Sequence, residues 1–245
     1  MLTDLNACMA FEFVHNIEIK MNYEKFKLYE KRAQKTVYSE EGGSFHDVII
    51  EKHIKTVLPQ LNIAKDSMIL DIGCGPGVFL QAAQKEGYTN LVGVTLSKQD
   101  VEICKKLGFQ TLHDDMSDLS VDDDSIDLVW CRHALEHSPY PLFTLYEFHR
   151  VLKDQALAFI EVPAPDNDRV FVHENNPNHY SIMGERMWLA LFYKSGFDVV
   201  SFHHHKITTE VIVVPESSYL FVVKKSTESL AEKFLRDYEL KISDD

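Results

Sequence analysis

The stretch Met68-Ile69-Leu70-Asp71-Ile72-Gly73-Cys74-Gly75-Pro76-Gly77 constrains this chain more than any other. An apolar run ends in an acid and then breaks into glycines at alternate positions. Val78-Phe79-Leu80-Gln81-Ala82-Ala83 follows with a helical pattern. The order predicts a buried parallel strand, a tight turn and a helix. Glycine is required where the backbone turns sharply or where a ligand presses on it. In open α/β sheets such turns, at the carboxyl ends of strands, hold nucleotide-like ligands.

Two readings of the turn compete. A dinucleotide site wants G-x-G-x-x-G and an acid about 20 residues later for the ribose. Here the spacing is Asp71-x-Gly73-x-Gly75-x-Gly77, position 78 is Val, and the second strand ends at Thr95. The motif resembles motif I of the class I S-adenosylmethionine-dependent methyltransferases.

The rest of the chain fits the large α/β domain that such a turn implies. From residue 68 strand and helix patterns alternate, with strands expected at 68–72, 90–94, 110–112, 126–131, 156–162, 198–203 and 218–223. Helices are expected at 77–86, 98–107, 141–152 and 184–195. The alternation predicts a Rossmann-like, mostly parallel seven-stranded sheet with helices on both faces. The last two strands lack a crossover helix between them and imply an antiparallel final hairpin. Residues 22–37 and 45–58 read as helices of an N-terminal cap, and Phe11, Phe13, Ile17 and Ile19 alternate weakly before them. The domain plan is therefore an extension and cap at 1–60, a catalytic domain at 61–225, and a terminal helix and tail at 226–245.

The net charge of −13 over 245 residues disfavours partners that present phosphate, namely nucleic acid and anionic membranes. Four cysteines with no CxxC pair suit a reduced, cytoplasmic protein. No basic-then-apolar leader and no membrane-length apolar run is visible.

Three further segments carry the resemblance, which spans about residues 66–224. Gly93-Val94-Thr95-Leu96-Ser97 ends the second strand, and His113-Asp114-Asp115-Met116 follows the third. Ser125-Ile126-Asp127-Leu128-Val129 with Leu135-Glu136-His137, then Arg150-Val151-Leu152-Lys153, match the family's fourth strand and the helix after it. The resemblance implies S-adenosyl-L-methionine as cofactor. It places Asp71, Gly73, Cys74, Gly75, Gly77, Thr95, Leu96, Gln99, Asp115, Met116 and Cys131 around that cofactor. Asp71 would lie near the amino group, Asp115 would accept from the adenine amino group, and Asp114 is the out-of-register alternative. Most family members carry an acid where this chain has Thr95, so Gln99 or Asp100 is expected to take the ribose.

Methyl transfer needs alignment of the nucleophile, and a base only where that nucleophile carries a proton at neutral pH. His133 and His137 follow the fourth strand. His173 and His179 lie in a long polar stretch after the fifth, with Arg169 and Tyr180, that is expected to overhang the pocket. These four histidines are the candidate catalytic residues. His133-x-x-Glu136-His137 also spells a zinc motif when helical, but Pro139 and Pro141 would cut such a helix short, and no metal is expected. A structural role for Glu136 and His137 competes with both readings. Asp122-Asp123-Asp124 reads as a solvated turn and His203-His204-His205 as a surface strand end. The expected activity is methyl transfer to a small molecule. A nucleic-acid or protein methyltransferase and a catalytically silent binding protein are the alternatives, and a nicotinamide oxidoreductase is opposed by the glycine spacing.

Overall fold

The computed structural model describes residues 27–28, 31, 45–165, 175–209 and 212–228. The weakly alternating segment 1–20, most of the first cap helix, Arg169, His173 and the terminal helix beyond residue 228 lie outside the described residues. Two compact units divide the chain at residues 35 and 36. Only Lys27, Leu28 and Lys31 of the first are described, all helical.

The second unit is a doubly wound sheet. Its elements are α1 (Phe45–Thr56), β1 (Met68–Ile72), α2 (Val78–Lys85), β2 (Asn90–Val94), α3 (Lys98–Lys106), β3 (Gln110–Leu112), β4 (Ile126–Arg132), α4 (Pro141–Val151), β5 (Leu152–Pro163), α5 (Glu185–Lys194), β6 (Phe197–Thr209) and β7 (Ile212–Lys225). The spatial order is β3-β2-β1-β4-β5-β7-β6. The first five strands pair in parallel, whereas β7 runs antiparallel to both β5 and β6. Strand order reverses between β1 and β4, which places the ligand crevice of such a sheet at their carboxyl ends.

Each face of the sheet has its own core, as strand alternation requires. Leu70, Ile72, Val129 and Cys131 pack with Leu145 and Phe148 of α4 and Trp188 and Phe192 of α5. Ile69, Leu128 and Trp130 pack on the other face with Phe79 and Leu80 of α2 and Cys104 of α3. Trp130 lies between Phe79 and Phe159, with ring centroids 4.6 and 4.0 Å away. Ile54, Leu58 and Leu61 belong to this same cluster. The segment assigned to a cap by sequence is thus built into the sheet layer from α1 onward.

One expectation needs correction. The final hairpin is far longer than the apolar runs at 198–203 and 218–223, since β6 and β7 stay paired as far as Thr209 and Ile212. Asp122-Asp123-Asp124 is a turn, but not merely a solvated one: Arg150 holds the Asp123 carboxylate at 2.6 Å, and Lys225 pairs with Asp124. Arg150 also donates to the carbonyls of Leu119 and Val121. The Arg-Val-Leu-Lys segment therefore ties the loop before β4 to the end of α4.

Candidate active site

Gly73, Gly75 and Gly77 all have positive φ, at 72°, 50° and 84°, but their side-chain space differs. A Cβ on Gly73 would stand 2.6 Å from the Ala134 Cβ, so that glycine is required by contact within the protein. On Gly77 it would meet the Cys104 sulfur at 3.0 Å. On Gly75 it would meet nothing within 4 Å. Only at Gly75 does the turn leave its face open for a ligand. The Gly75 carbonyl accepts from the thiols of Cys74 and Cys104, which brace the loop. Gly93 in β2, which sequence reading passed over, makes room for Cys74: a Cβ there would lie 2.7 Å from its sulfur.

Asp71 is buried at the end of β1, and its Oδ2 makes no hydrogen bond. Burial, joined by the neighbouring Cys104, raises its pKa well above the usual carboxylate range. A buried, unpartnered carboxyl beside an open turn suits a ligand that brings a positive charge. That is the chemistry of the cofactor's amino group, so the residues present fit S-adenosyl-L-methionine.

Thr95 follows β2, with its hydroxyl accepting from the Ser97 amide at 3.1 Å. Ser97 caps α3 by accepting from the Asp100 amide. This places Gln99, exposed, and Asp100, buried, in the first turn of α3. Leu96 offers its carbonyl to the His113 ring at 3.0 Å. Asp115 accepts from the Ser117 amide and Asp114 from the Ser120 amide, each shaping the loop after β3. Met116 is half-buried against the core. The Cys131 side chain is wholly enclosed inside β4, and burial pushes its thiol pKa up.

On the far side of the switch point the chain builds a buried charged network. His133 follows β4 at φ 48°, with its amide bonded to the Glu161 carbonyl at 2.8 Å. Its ring lies between two carboxylates: Nδ1 is 3.4 Å from Glu136 and Nε2 is 3.5 Å from Glu161. Glu161 also pairs with Arg132 at 2.8 Å and with His53 of α1 at 3.3 Å. Burial and Arg132 both oppose charge on His133, but the flanking Glu136 and Glu161 carboxylates outweigh them and push its pKa up to about 9. Both acids are themselves held ionised against the cost of burial, Glu161 by Arg132 and His133 and Glu136 by His133 and His137.

The segment after β5 returns to this edge. Tyr180 and Ser181 donate their amides to the Glu136 carbonyl at 2.9 and 3.0 Å. The Ser181 hydroxyl donates to the Ser138 carbonyl at 2.8 Å. The Asn178 carbonyl lies 2.9 Å from His137 Nδ1. Leu135–His137 is a single 3-10 turn, as the nearby prolines imply. Even so, the fold brings Glu136, His137 and His179 together, with one ligand-capable atom of each within 4.8 Å of the others. The His137 and His179 rings meet edge to face at 4.7 Å. Ser138, Thr144 and Ser117 form a chain of hydroxyls, each link 2.7 Å, that joins this turn to the loop after β3. Of the histidines in the run 203–205, His203 and His204 are exposed, and His204 is hydrogen-bonded to Ser217 at 2.6 Å.

Comparison with known proteins agrees with this architecture. A family profile described as a methyltransferase domain matches residues 46–202. An uncharacterised protein of Methanocaldococcus jannaschii is 28% identical over 158 residues, which cover 64% of this chain and 66% of that protein. A demethylmenaquinone methyltransferase of Staphylococcus epidermidis is 32% identical over 108 residues, 40% of this chain and 44% of that enzyme. The chain thus spans between under half and about two thirds of the length of these curated relatives. The crystal structure of a SAM-dependent methyltransferase from Archaeoglobus fulgidus shares the fold, with a TM-score of 0.62 at 19% identity over 82% of this chain and 99% of that one. No helix among the described residues is long and apolar enough to cross a membrane. The chain belongs to the methyltransferase domain family, in its class I S-adenosyl-L-methionine-dependent group.

Proposed function

We propose that this protein transfers a methyl group from S-adenosyl-L-methionine to a small-molecule acceptor. The observation that carries the reading is the turn at the switch point, where Gly75 leaves an open face four residues beyond the buried Asp71, whose Oδ2 makes no hydrogen bond. When bound, the cofactor supplies an activated methyl on a sulfonium, which already contains its leaving group. Asp71 would hold the amino group, the Gly73–Gly77 backbone the amino-acid and ribose portion, Gln99 or Asp100 the ribose hydroxyls, and Asp115 with Met116 the adenine.

The acceptor is expected at the edge formed after β4 and β5. His133 sits between Glu136 and Glu161 as an imidazolium, so its work is to position rather than to accept a proton. Among the described residues, His137 and His179 are the candidate imidazoles left to face an acceptor there. A net charge of −13 favours a small molecule over a phosphate backbone. The demethylmenaquinone methyltransferase among the relatives makes hydroxylated aromatic rings the first acceptor class to assay.

The test has two stages. Isothermal titration should show S-adenosylhomocysteine binding at one site per chain, and a folded protein that does not bind it refutes the cofactor reading. Formation of S-adenosylhomocysteine should then depend on an added quinol, catechol or other small acceptor. Turnover only with RNA, DNA or protein would replace the small-molecule reading.

A further inference from the structure

We propose that Glu136, His137 and His179 form a binding site for a first-row divalent cation of the zinc class, at the acceptor edge of the domain. The three residues bring one carboxylate oxygen and two imidazole nitrogens within 4.8 Å of one another. Zinc lies about 2.0–2.2 Å from such ligands, so on a common ion the three atoms would draw in to within about 4.4 Å of one another. The donor set selects the ion: imidazole suits zinc, nickel, copper and iron, whereas magnesium and calcium want oxygen.

The surroundings are those of a built site. Glu136 is fully buried, and neither of its carboxylate oxygens makes a hydrogen bond. A buried carboxylate is normally satisfied by hydrogen bonds, by an ion pair or by a metal. Its Oε1 lies 3.4 Å from the His133 ring. The Asn178 carbonyl can only accept, so His137 Nδ1 must carry the hydrogen, and the lone pair of the neutral ring is then on Nε2. Metal-binding histidines are commonly oriented by such a bond from the other ring nitrogen. The backbone N–H of His179 donates to the Asn176 carbonyl at 3.0 Å, and its neighbours Tyr180 and Ser181 are anchored on the Glu136 carbonyl. The ligand-bearing segments are therefore fixed to each other before any ion arrives.

Three protein ligands leave at least one position open, as in catalytic rather than structural zinc sites. Resting on the methyltransferase reading, the open position would take an acceptor oxygen. A hydroxyl bound there loses its proton to water more readily and keeps its electron pair for attack. The acceptors favoured are those with an ionisable hydroxyl, above all two hydroxyls on adjacent carbons.

The experiment uses the full chain, free of any histidine tag, stripped with chelator and titrated with zinc chloride. Uptake should saturate at one equivalent. His179→Phe preserves the ring contact with His137 and removes the nitrogen, and should weaken uptake at least about tenfold. His137→Ala should do the same, while both variants still bind S-adenosylhomocysteine. No stoichiometric uptake by a parent that binds S-adenosylhomocysteine overturns the site. So does undiminished uptake by both variants, or uptake lost instead on His204→Ala, which would locate the ion at the β6 histidines. Failure of the parent to bind S-adenosylhomocysteine while zinc binds as described would refute the cofactor reading and leave the metal site standing.

Discussion

Asp71→Asn should raise the stability of the ligand-free domain and lower its affinity for cofactor. The carboxyl is 4% exposed, its Oδ2 has no hydrogen bond, and burial, with Cys104, raises its pKa. The folded-state pKa lies above the unfolded value of about 3.9. The native state therefore keeps a proton that the unfolded chain releases. Stability falls as pH rises from about 4 to the folded pKa, and the full cost persists above it. An unsatisfied buried polar group costs about 1–3 kcal/mol. Removing the titrating group should recover that order, an increase of roughly 2–12 °C in Tm for a chain of this size. The same carboxylate is the expected partner of the cofactor's ammonium, a charged hydrogen bond worth about 1.5–3 kcal/mol. Affinity for S-adenosylhomocysteine should drop by about 10- to 100-fold. Scanning calorimetry between pH 4 and 8 and isothermal titration at neutral pH measure both effects. An Asn variant less stable than its parent without ligand, or one that binds S-adenosylhomocysteine as tightly, would refute the argument.

Gly73 and Gly75 should separate in the same assays. Gly73→Ala forces a Cβ against Ala134 and should cost about 1–3 kcal/mol for overpacking, with about 1–2 kcal/mol more for the left-handed backbone. Gly75→Ala meets no clash and carries only the backbone penalty, yet should abolish S-adenosylhomocysteine binding; equal affinity in parent and variant would show that the ligand does not approach there. Glu161→Gln leaves Arg132, His53 and His133 short of a buried counter-charge and should cost about 3–5 kcal/mol. Glu161 has a depressed pKa, so its contribution is present above about pH 4.3 and is lost as pH falls below that. The variant's stability should therefore change less with acidification than the parent's, which urea titrations at pH 3 to 7 would show. Gln99→Ala should weaken S-adenosylhomocysteine binding by about 0.5–1.5 kcal/mol through loss of one neutral hydrogen bond. An unchanged Kd assigns the ribose to Asp100 or to the backbone.

The central strands were legible because their signals are local. Residues 68–72 and 90–94 are largely apolar runs bounded by glycine or polar turns, and they form strands over those same bounds. The beginning of β5 was not, because β5 starts at Leu152, directly after α4, and helix and strand share the residues around Val151 and Leu152. Of the motif I glycines, sequence read all as one cradle. The division between Gly73 and Gly75 depends on Ala134, far away along the chain, and no local pattern carries that contact. The grouping of Glu136 and His137 with His179 was out of reach for the same reason. A search for ligands along one helix finds prolines and stops, whereas the third ligand arrives through hydrogen bonds from Asn178, Tyr180 and Ser181. The charged network around Glu161 likewise draws on α1, β4 and β5, and only the surplus of acids and histidines near those strand ends hinted at it.

The placement of β7 between β5 and β6 sets an order of assembly. A ribosome releases β5 and β6 before the strand that joins them exists. Until residues 212–225 emerge, β5 is an open edge with unpaired backbone groups, and β6 has no seat in the sheet. Such edges invite pairing with other chains, and domains made vectorially are exposed to that hazard while incomplete. Loss of β7 alone would thus remove two strands and bare a third, so a nonsense codon near residue 212 should yield an aggregating product rather than a trimmed enzyme.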